Sequence, residues 1–272
     1  MTLDVAISTY RPDGILRVEN MLSRLAPQSG VRFVVSWQEH ENAPIPESLI
    51  DRGDVEVVRY DVKGLSNNRN NALAHSSADI VLIADDDLIF LPDFSVNIKE
   101  AFKSDPRIDL GIFKINFPNE KKYPDKDCRL RLPLPKGYYG SSVEIALRRE
   151  RLDSLKFWGE MGLGNPFLHC GEDELFLISA IKRNYNCHFF NTTIANHPVE
   201  STGDKVSPGI LRGRGFIIGL IYPFTCLLRI PLIAFRIRKK KKSSFLSSLI
   251  ELSRGALLSI KKNNIIPKDS RW

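Results

Sequence analysis

The sequence predicts an α/β protein with a mostly parallel central sheet and a helical region at its C-terminus. In roughly the first hundred residues, short aliphatic runs alternate with segments whose apolar residues recur at helical spacing, as in βαβ units. Of the 272 residues, 43% are hydrophobic and 26% charged, the composition of a globular chain. Beyond about residue 208, apolar and basic residues dominate.

The first hundred residues are divided into four strands and three helices. Each predicted strand is a short apolar run bounded by turn-forming residues, and Pro92 is suited to the first turn of a helix. The predicted strands cover 3–8, 31–37, 55–60 and 80–84, and the predicted helices cover 15–25, 65–75 and 92–103.

The middle of the chain is less regular. Two apolar runs predict strands at 108–113 and 142–147, and a helical pattern covers 172–184. The polar, proline-rich segment 119–140 predicts a loop. A short strand is expected before Asn196-His197-Pro198.

The C-terminal region is apolar and then basic. Phe216–Phe235 is apolar apart from Arg229 and contains two prolines. Because a bilayer crossing needs about 20 apolar residues, a central charge and two helix breakers favour helices lying in the membrane interface. Residues 245–260 form a second amphipathic segment, and a helical subdomain packed on the core is the alternative. The predicted domains are 1–207 and 208–272.

The charge distribution indicates the class of partner. The net charge is +7, and six cations lie between residues 236 and 242. Such a run can be simply solvated, but beside an apolar segment it favours attraction to anionic lipid. Nucleic-acid binding would need basic residues interleaved with aromatic ones along one surface, whereas here the charge lies beside the apolar segment. The N-terminus does not resemble a signal peptide. The four cysteines show neither close pairing nor zinc-ligand spacing, which suits free thiols in a reducing cytosol (Cys128, Cys170, Cys187, Cys226).

Three consecutive carboxylates follow the fourth predicted strand, in the stretch IADDDLIF. Ligands of parallel sheets gather at the carboxyl ends of the strands. In an extended segment Asp85 and Asp87 would point one way and Asp86 the other. Because Mg²⁺ is held by one or two carboxylates together with substrate phosphates, the expected counter-charge is a metal carrying a diphosphate. An ordinary acidic turn is the alternative.

Three further positions carry chemistry that fits such a site. Arg69, in SNNRNNAL, could reach a phosphate or a base edge, or simply pair with a carboxylate such as Asp61. In GEDELF, a carboxylate of the first helical turn could act as a general base or merely complement the helix dipole. His197 could be a metal ligand or a structural histidine.

Taken together, these segments resemble the family 2 glycosyltransferases, which have a GT-A fold. The matching segments are the opening strand with Ser8-Thr9-Tyr10, then SNNRNNAL, ADDDL and GEDELF, and they occur in the family's order over about residues 1–200. The likeness is closest to bacterial enzymes that build capsule, O-antigen or other surface polysaccharide.

The resemblance implies a nucleotide-diphospho-sugar donor, expected to be a UDP-sugar, a divalent Mn²⁺ or Mg²⁺, and transfer with inversion. On the donor side, the resemblance implies that Thr9 and Tyr10 line the nucleotide pocket, that Asp61 contacts the base with help from Arg69, and that Asp85 and Asp86 belong to the donor-binding turn, with Asp85 near the ribose and diphosphate. It implies that Asp87 and His197 bind the metal. On the acceptor side, it implies that Asp173 is the general base and that Glu172 orients the acceptor or the base.

One departure concerns the second strand. In many relatives it ends in an acidic residue and a small Gly/Ser-rich turn, whereas here it ends Ser36-Trp37-Gln38-Glu39. Either Gln38 or Glu39 could take the acidic residue's role, which leaves the nucleotide base open.

The expected partners are the donor and a saccharide acceptor, which could be linked to polyprenyl diphosphate. The predicted location is the cytoplasm, peripheral on the inner face of the cytoplasmic membrane, with no role for nucleic acid. The alternatives are a membrane-surface scaffold that binds sugar nucleotides without turnover, a nucleotidyltransferase and a haloacid-dehalogenase-like phosphatase. The last two fit poorly, because VAISTYRPDG supplies neither a Gly-rich, Arg-containing loop nor a strand-terminal aspartate.

Overall fold

The structure is a computed structural model that describes residues 1–119, 121–152, 154–198, 206–240 and 242–262. The chain divides into two compact units. The first contains residues 1–63, 67–157 and 184–200, and the second contains residues 64–66, 158–183 and 201–272. The second unit therefore joins the segment around Glu172 and Asp173 to the C-terminal helices.

The first unit is built on a mixed sheet whose strands follow the order β3-β2-β1-β4-β8-β6-β9-β5, with β7 paired to β9. The strands are β1 (Leu3–Tyr10), β2 (Val31–Gln38), β3 (Val55–Tyr60), β4 (Ile80–Asp85), β5 (Ile89–Phe90), β6 (Leu110–Asn116), β7 (Cys128–Arg129), β8 (Ile145–Arg148) and β9 (Cys187–Asn196). Strands β3, β2, β1 and β4 are parallel, and β8 runs antiparallel to both β4 and β6.

The register of the parallel strands brings their carboxyl ends to one edge. Ser8 is paired with Asp85, Tyr10 with Gln38, and Gln38 with Tyr60. Strands β1, β2 and β4 are almost fully buried and rich in valine and isoleucine, as expected where both faces of a parallel sheet are covered, whereas β3, at the end of the strand order, is only partly buried. The residues that follow each strand therefore share the edge where α/β proteins bind ligands.

The helices of the first unit are α1 (Arg11–Ser23), α2 (Glu47–Ile50), α4 (Phe94–Ser104) and, from residue 67 onward, α3 (Leu65–His75). Helix α4 buries Phe94, Ile98 and Phe102 at i, i+4 and i+8, which fixes it on the sheet. It begins two residues after Pro92, with Asp93 as its N-cap. Ser142–Glu144 form a 3₁₀ turn instead of the start of β8, because Ser141 and Glu144 cap one another.

The second unit contains α5 (Glu172–Lys182), α6 (Pro208–Ile221), α7 (Cys226–Lys239) and α8 (Phe245–Lys261). The apolar segment 216–235 is thus shared between two helices: α6 ends before Pro223, whereas Pro231 lies inside α7. Over the described residues, no helix has both the length and the apolar character needed to cross a membrane.

Helices α6 and α8 approach unusually closely because glycines face one another. A Cβ on Gly255 would lie 1.9 Å from the Arg212 carbonyl oxygen, and one on Gly215 would lie 2.0 Å from that of Leu252. Beside this contact, Arg212 Nη1 donates to Glu251 Oε2 at 2.8 Å. Helix α6 also supports the segment before α5, since Trp158 stacks on Phe216 with ring centroids 5.3 Å apart.

Candidate active site

The three carboxylates of the acidic turn face three different partners. Strand β4 ends at Asp85, so Asp86 and Asp87 lie in a turn and the alternation predicted for an extended segment stops there. Asp85 accepts a hydrogen bond from Nη2 of Arg69 at 3.1 Å. Arg69 is 3% exposed, and its guanidinium lies 5.4 Å from the ring centroid of Phe157. A buried cation is therefore held at the carboxyl end of β4.

Asp86 is buried, and its carboxylate is hydrogen-bonded to other side chains of the protein. Arg17 donates to both of its oxygens at 3.1 Å, and the Thr9 hydroxyl donates to Oδ2. Helix α1 comes this close because residue 14 is glycine: a Cβ there would lie 2.2 Å from Thr9 Oγ1. Burial raises the pKa of Asp86, and the bonds from Arg17 and Thr9 oppose that shift. Asp86 thus fastens the turn to β1 and α1.

Asp87 lies beside His197, as a metal-binding pair would. His197 Nε2 is 3.5 Å from Asp87 Oδ1, and the His197 ring stacks on Phe117 with centroids 5.4 Å apart. Oδ1 of Asp87 and Nδ1 of His197 are buried, and neither has a hydrogen-bond partner in the part of the chain that the structure describes. Burial raises the pKa of Asp87; His197 lowers it, and the neighbouring carboxylates raise it further.

A run of asparagines in α3 fixes this helix against the strands. Asn68 donates to the Thr9 carbonyl oxygen at 2.8 Å, and Asn71 donates to Ser36 Oγ at 2.8 Å. Asn70 forms two bonds with the backbone of Phe157, at 2.8 and 2.9 Å. Two of these three amides bond backbone groups and the third bonds a hydroxyl, and together they hold the helix that carries Arg69 at this edge.

The residues expected to contact the base lie at the ends of β1, β2 and β3. Tyr10 is 50% exposed, and the Asp61 side chain is 95% exposed with His40 Nε2 3.2 Å away. Gln38 is buried and donates to the Val62 carbonyl oxygen. Glu39 lies 3.4 Å from the ammonium of Lys63. Both candidates at the end of β2 therefore reach the loop after β3, Gln38 through its amide and Glu39 through its carboxylate.

The loop between β6 and the 3₁₀ turn is anchored by a buried ion pair. Lys121 Nζ lies 2.5 Å from Glu144 Oε1, and both side chains are at most 2% exposed. Tyr123 and Tyr138 also donate to Glu144, and burial is the main cause that raises the pKa of this carboxyl. Lys121 Nζ also lies 5.2 Å from the ring centroid of Phe117, and Phe117 stacks on His197, so the anchor is linked by contacts to the residue beside Asp87.

Glu172 and Asp173 open α5 in the second unit. Gly171 precedes them at φ +102°, and a Cβ there would lie 2.9 Å from Ile217. Glu172 is 8% exposed and packs against Gly162, where a Cβ would lie 3.1 Å from its carboxyl carbon. Asp173 is only partly buried. Of the two carboxylates, Asp173 is the one that solvent can reach.

The acidic turn fits a metal that takes most of its ligands from its substrate. Within the described ranges, no three His, Cys, Asp or Glu side chains form a ready-made metal cage. One buried carboxylate oxygen without a hydrogen bond, beside an imidazole, suits Mn²⁺ or Mg²⁺ whose remaining ligands are phosphate oxygens and water.

Three residues of this edge were not among the predicted site residues: Arg17, His40 and Phe117. Each acts on a residue at least 21 positions away in sequence, namely Asp86, Asp61 and His197. A partial signal existed for Arg17, because Asp13 lies four residues earlier on α1 and pairs with it.

Comparison with known proteins finds a family that matches part of the chain. Residues 41–157 match the family described as Glycosyl transferase family 2, a range that includes Asp61, Arg69 and the acidic turn. No curated protein sequence matches the chain significantly.

Solved structures of TarS from S. aureus share the fold. The TarS 1–349 complex with UDP has a TM-score of 0.58 and 20% identity, over 80% of this chain and 65% of that one. The complex with UDP-GlcNAc has a TM-score of 0.58 and 19% identity, over 80% and 66%. A further TarS 1–349 structure has a TM-score of 0.57 and 14% identity, over 97% and 92%. The chain thus spans about 65% of the length of the first two.

The α/β fold is therefore GT-A-like, and the predicted resemblance is confirmed over residues 41–157, which match the family 2 glycosyltransferases.

Proposed function

We propose that this protein transfers a sugar from a UDP-sugar to a hydroxyl group of a saccharide acceptor, with inversion at the anomeric carbon. One observation carries the proposal: a buried, unbonded carboxylate oxygen of Asp87 lies beside His197 at the end of β4. A charge buried in this way is costly unless a cation completes its surroundings. The UDP and UDP-GlcNAc complexes of TarS support a uridine donor.

The donor would occupy the carboxyl edge of β1–β4. Tyr10 and Asp61 are exposed there, and Asp61 would contact the uracil with help from Arg69. Asp85 would contact the ribose and the diphosphate. Asp86 and Thr9 would not make the donor contacts that the family resemblance implies, but would keep the turn in place. Thr9 is bonded to Asp86, and Asp86 is also bonded to Arg17.

Asp87 and His197 would hold Mn²⁺ or Mg²⁺. When bound, the metal would neutralise negative charge on the diphosphate. Arg69 would add a fixed positive charge on the same edge, because Asp85 and the ring of Phe157 keep its guanidinium in place.

The acceptor side of the reaction would depend on α5. Asp173, the more accessible carboxylate, would take the proton from the acceptor hydroxyl as its oxygen forms the new bond to the anomeric carbon. The bond to UDP breaks in the same displacement, and its electron pair leaves with UDP. Glu172, buried against Gly162, would orient Asp173 or the acceptor.

We further propose that the acceptor is linked to a lipid, such as a polyprenyl diphosphate, at the inner face of the cytoplasmic membrane. The protein would then be peripheral on that membrane and act in the synthesis of a surface polysaccharide. The apolar and basic helices of residues 208–262 support this location.

Calorimetry with UDP, GDP, CDP and dTDP, each with and without Mn²⁺, tests the donor site. Wild type should bind UDP in a metal-dependent way, and Asp87→Asn, which keeps the shape of the side chain, should weaken that binding at least tenfold. Asp51→Ala removes an exposed carboxylate of the first unit and serves as the control. If folded wild-type protein bound none of the four nucleotides, the proposed function would be wrong.

A further inference from the structure

Helix α7 has two apolar faces, and among the residues that the structure describes only one of these faces is covered. The covered face is formed by Cys226, Ile230, Ala234 and Ile237, which pack with Leu252 and Ala256 of α8. The other face, with the preceding Phe224, is solvent-exposed. Its members and their exposures are Phe224 96%, Leu227 74%, Leu228 74%, Leu232 61% and Phe235 60%. We refer to these five residues as the α7 apolar face.

The α7 apolar face contains five large, exposed apolar side chains that follow one another along α7 and the residues just before it. A contiguous exposed patch of this kind marks a binding surface. Leu228, Leu232 and Phe235 follow one another at i, i+4 and i+7, so they share one side of α7. Single exposed leucines elsewhere are ordinary and need no such explanation.

The charges around the patch indicate what covers it. Residues 205–250 contain ten Lys and Arg residues and no Asp or Glu. Arg229, Arg236 and Arg238 are exposed on α7 itself, as are Lys239 and Lys240 at its end. Arg229 lies 3.7 Å from the ring centroid of Tyr222, which holds its charge next to the patch. The partner must therefore be apolar and negatively charged at once.

We infer that the α7 apolar face inserts into the surface of a bilayer that contains anionic lipid. The Leu and Phe side chains would lie among the acyl chains, and the surrounding Arg and Lys side chains would contact the anionic headgroups. Amphipathic helices bind membrane interfaces in this way. A second copy of this chain would bring the same cations against these ones, and like charges across an interface are unfavourable.

The inference also gives α7 a place in the proposed reaction, and only this part rests on the proposed function. Helix α6, which packs with α7 and α8 in the second unit, contacts the approach to α5 through Phe216 and Ile217. The unit that would lie on the lipid therefore also carries Asp173. A lipid-linked acceptor would reach that carboxylate without leaving the membrane surface.

Co-sedimentation with vesicles tests the inference on the full chain. Wild type should bind vesicles of phosphatidylcholine with 30% phosphatidylglycerol, and binding should fall at least tenfold in pure phosphatidylcholine. Leu228→Gln with Leu232→Gln should weaken binding to the anionic vesicles at least tenfold. The variant with Arg236→Gln, Arg238→Gln, Lys239→Gln and Lys240→Gln should lose the preference for anionic lipid. Ile50→Gln, at an exposed isoleucine of α2, is the matched control and should bind as wild type does.

Equal binding by wild type and the double leucine variant would overturn the inference, as would wild type that binds neither kind of vesicle. Wild type that forms dimers, lost in the leucine variant, with no vesicle binding would assign the face to a second copy. UDP calorimetry on the same samples separates the two proposals. Vesicle binding without UDP binding would refute the proposed donor and transfer but not the inference. UDP binding without vesicle binding would refute the inference and the proposed membrane location but not the donor site.

Discussion

Three adjacent aspartates coexist at the end of β4 because each has a different environment. Asp85 meets Arg69, Asp86 meets Arg17 and Thr9, and Asp87 meets His197. The sequence indicated the need for positive charge at this turn and singled out Arg69, but as a contact to a phosphate, a base edge or Asp61, whereas the structure pairs it with Asp85. It could not identify Arg17, because the pairing depends on how closely α1 approaches β4, and that approach depends on Gly14.

Arg17 should therefore stabilise the turn. In Arg17→Met, Asp86 keeps the Thr9 hydroxyl but loses both guanidinium bonds while it remains buried. The free energy of unfolding should fall by about 1–3 kcal/mol, the usual cost of an unsatisfied buried polar group, and UDP binding should weaken. Chemical denaturation and calorimetry measure the two effects.

Asp13→Asn is the control for this prediction, because it removes the other, exposed partner of Arg17 and leaves Asp86 paired. It should change the free energy of unfolding by no more than about 0.5 kcal/mol, as for other exposed ion pairs. If Arg17→Met were as stable as Asp13→Asn, Asp86 would not depend on Arg17.

At the scale of elements, the sequence predicted best where the local pattern alone decides. The predicted bounds of β3 and α3 agree with the structure at both ends. The strand predicted at 142–147 begins later, at Ile145, because Glu144 turns inward to meet Lys121 and two tyrosines. Those partners come from a loop that the sequence pattern does not relate to Glu144.

The contact between α6 and α8 also depends on partners distant in sequence. Gly255→Ala would place a Cβ 1.9 Å from the Arg212 carbonyl oxygen, so the helices must separate. We expect a loss of about 1–3 kcal/mol in the free energy of unfolding, as in other overpacked cores. Thermal unfolding followed by circular dichroism measures it.

Gly53→Ala is the matched control, because a Cβ at residue 53 meets no atom within 4 Å. That variant should be neutral or more stable by up to about 1 kcal/mol, through the reduced entropy of its unfolded chain. Equal stability of the two variants would show that α6 and α8 do not need the glycine contact.

At the scale of the whole molecule, the sequence predicted the fold class and the family, whereas the grouping of its segments needed the structure. The predicted boundary at residue 208 coincides with the first residue of α6. The compact unit that contains α6 also takes in residues 158–183, and with them Glu172 and Asp173. The sequence pattern cannot predict this grouping, because Trp158 and Gly171 pack against residues of α6 that lie more than 40 positions away in sequence.

The central claim is that this chain turns over a UDP-sugar and does not merely bind it. Release of UDP from UDP-GlcNAc, UDP-glucose and UDP-galactose, measured with Mn²⁺ for wild type and Asp173→Asn, tests it most directly. Wild type should release UDP from at least one donor. Asp173→Asn should be at least about 100-fold slower, the usual contribution of a general base, with its affinity for UDP unchanged. Wild type that binds UDP tightly yet releases none from any of these donors would contradict the account and favour a sugar-nucleotide-binding scaffold.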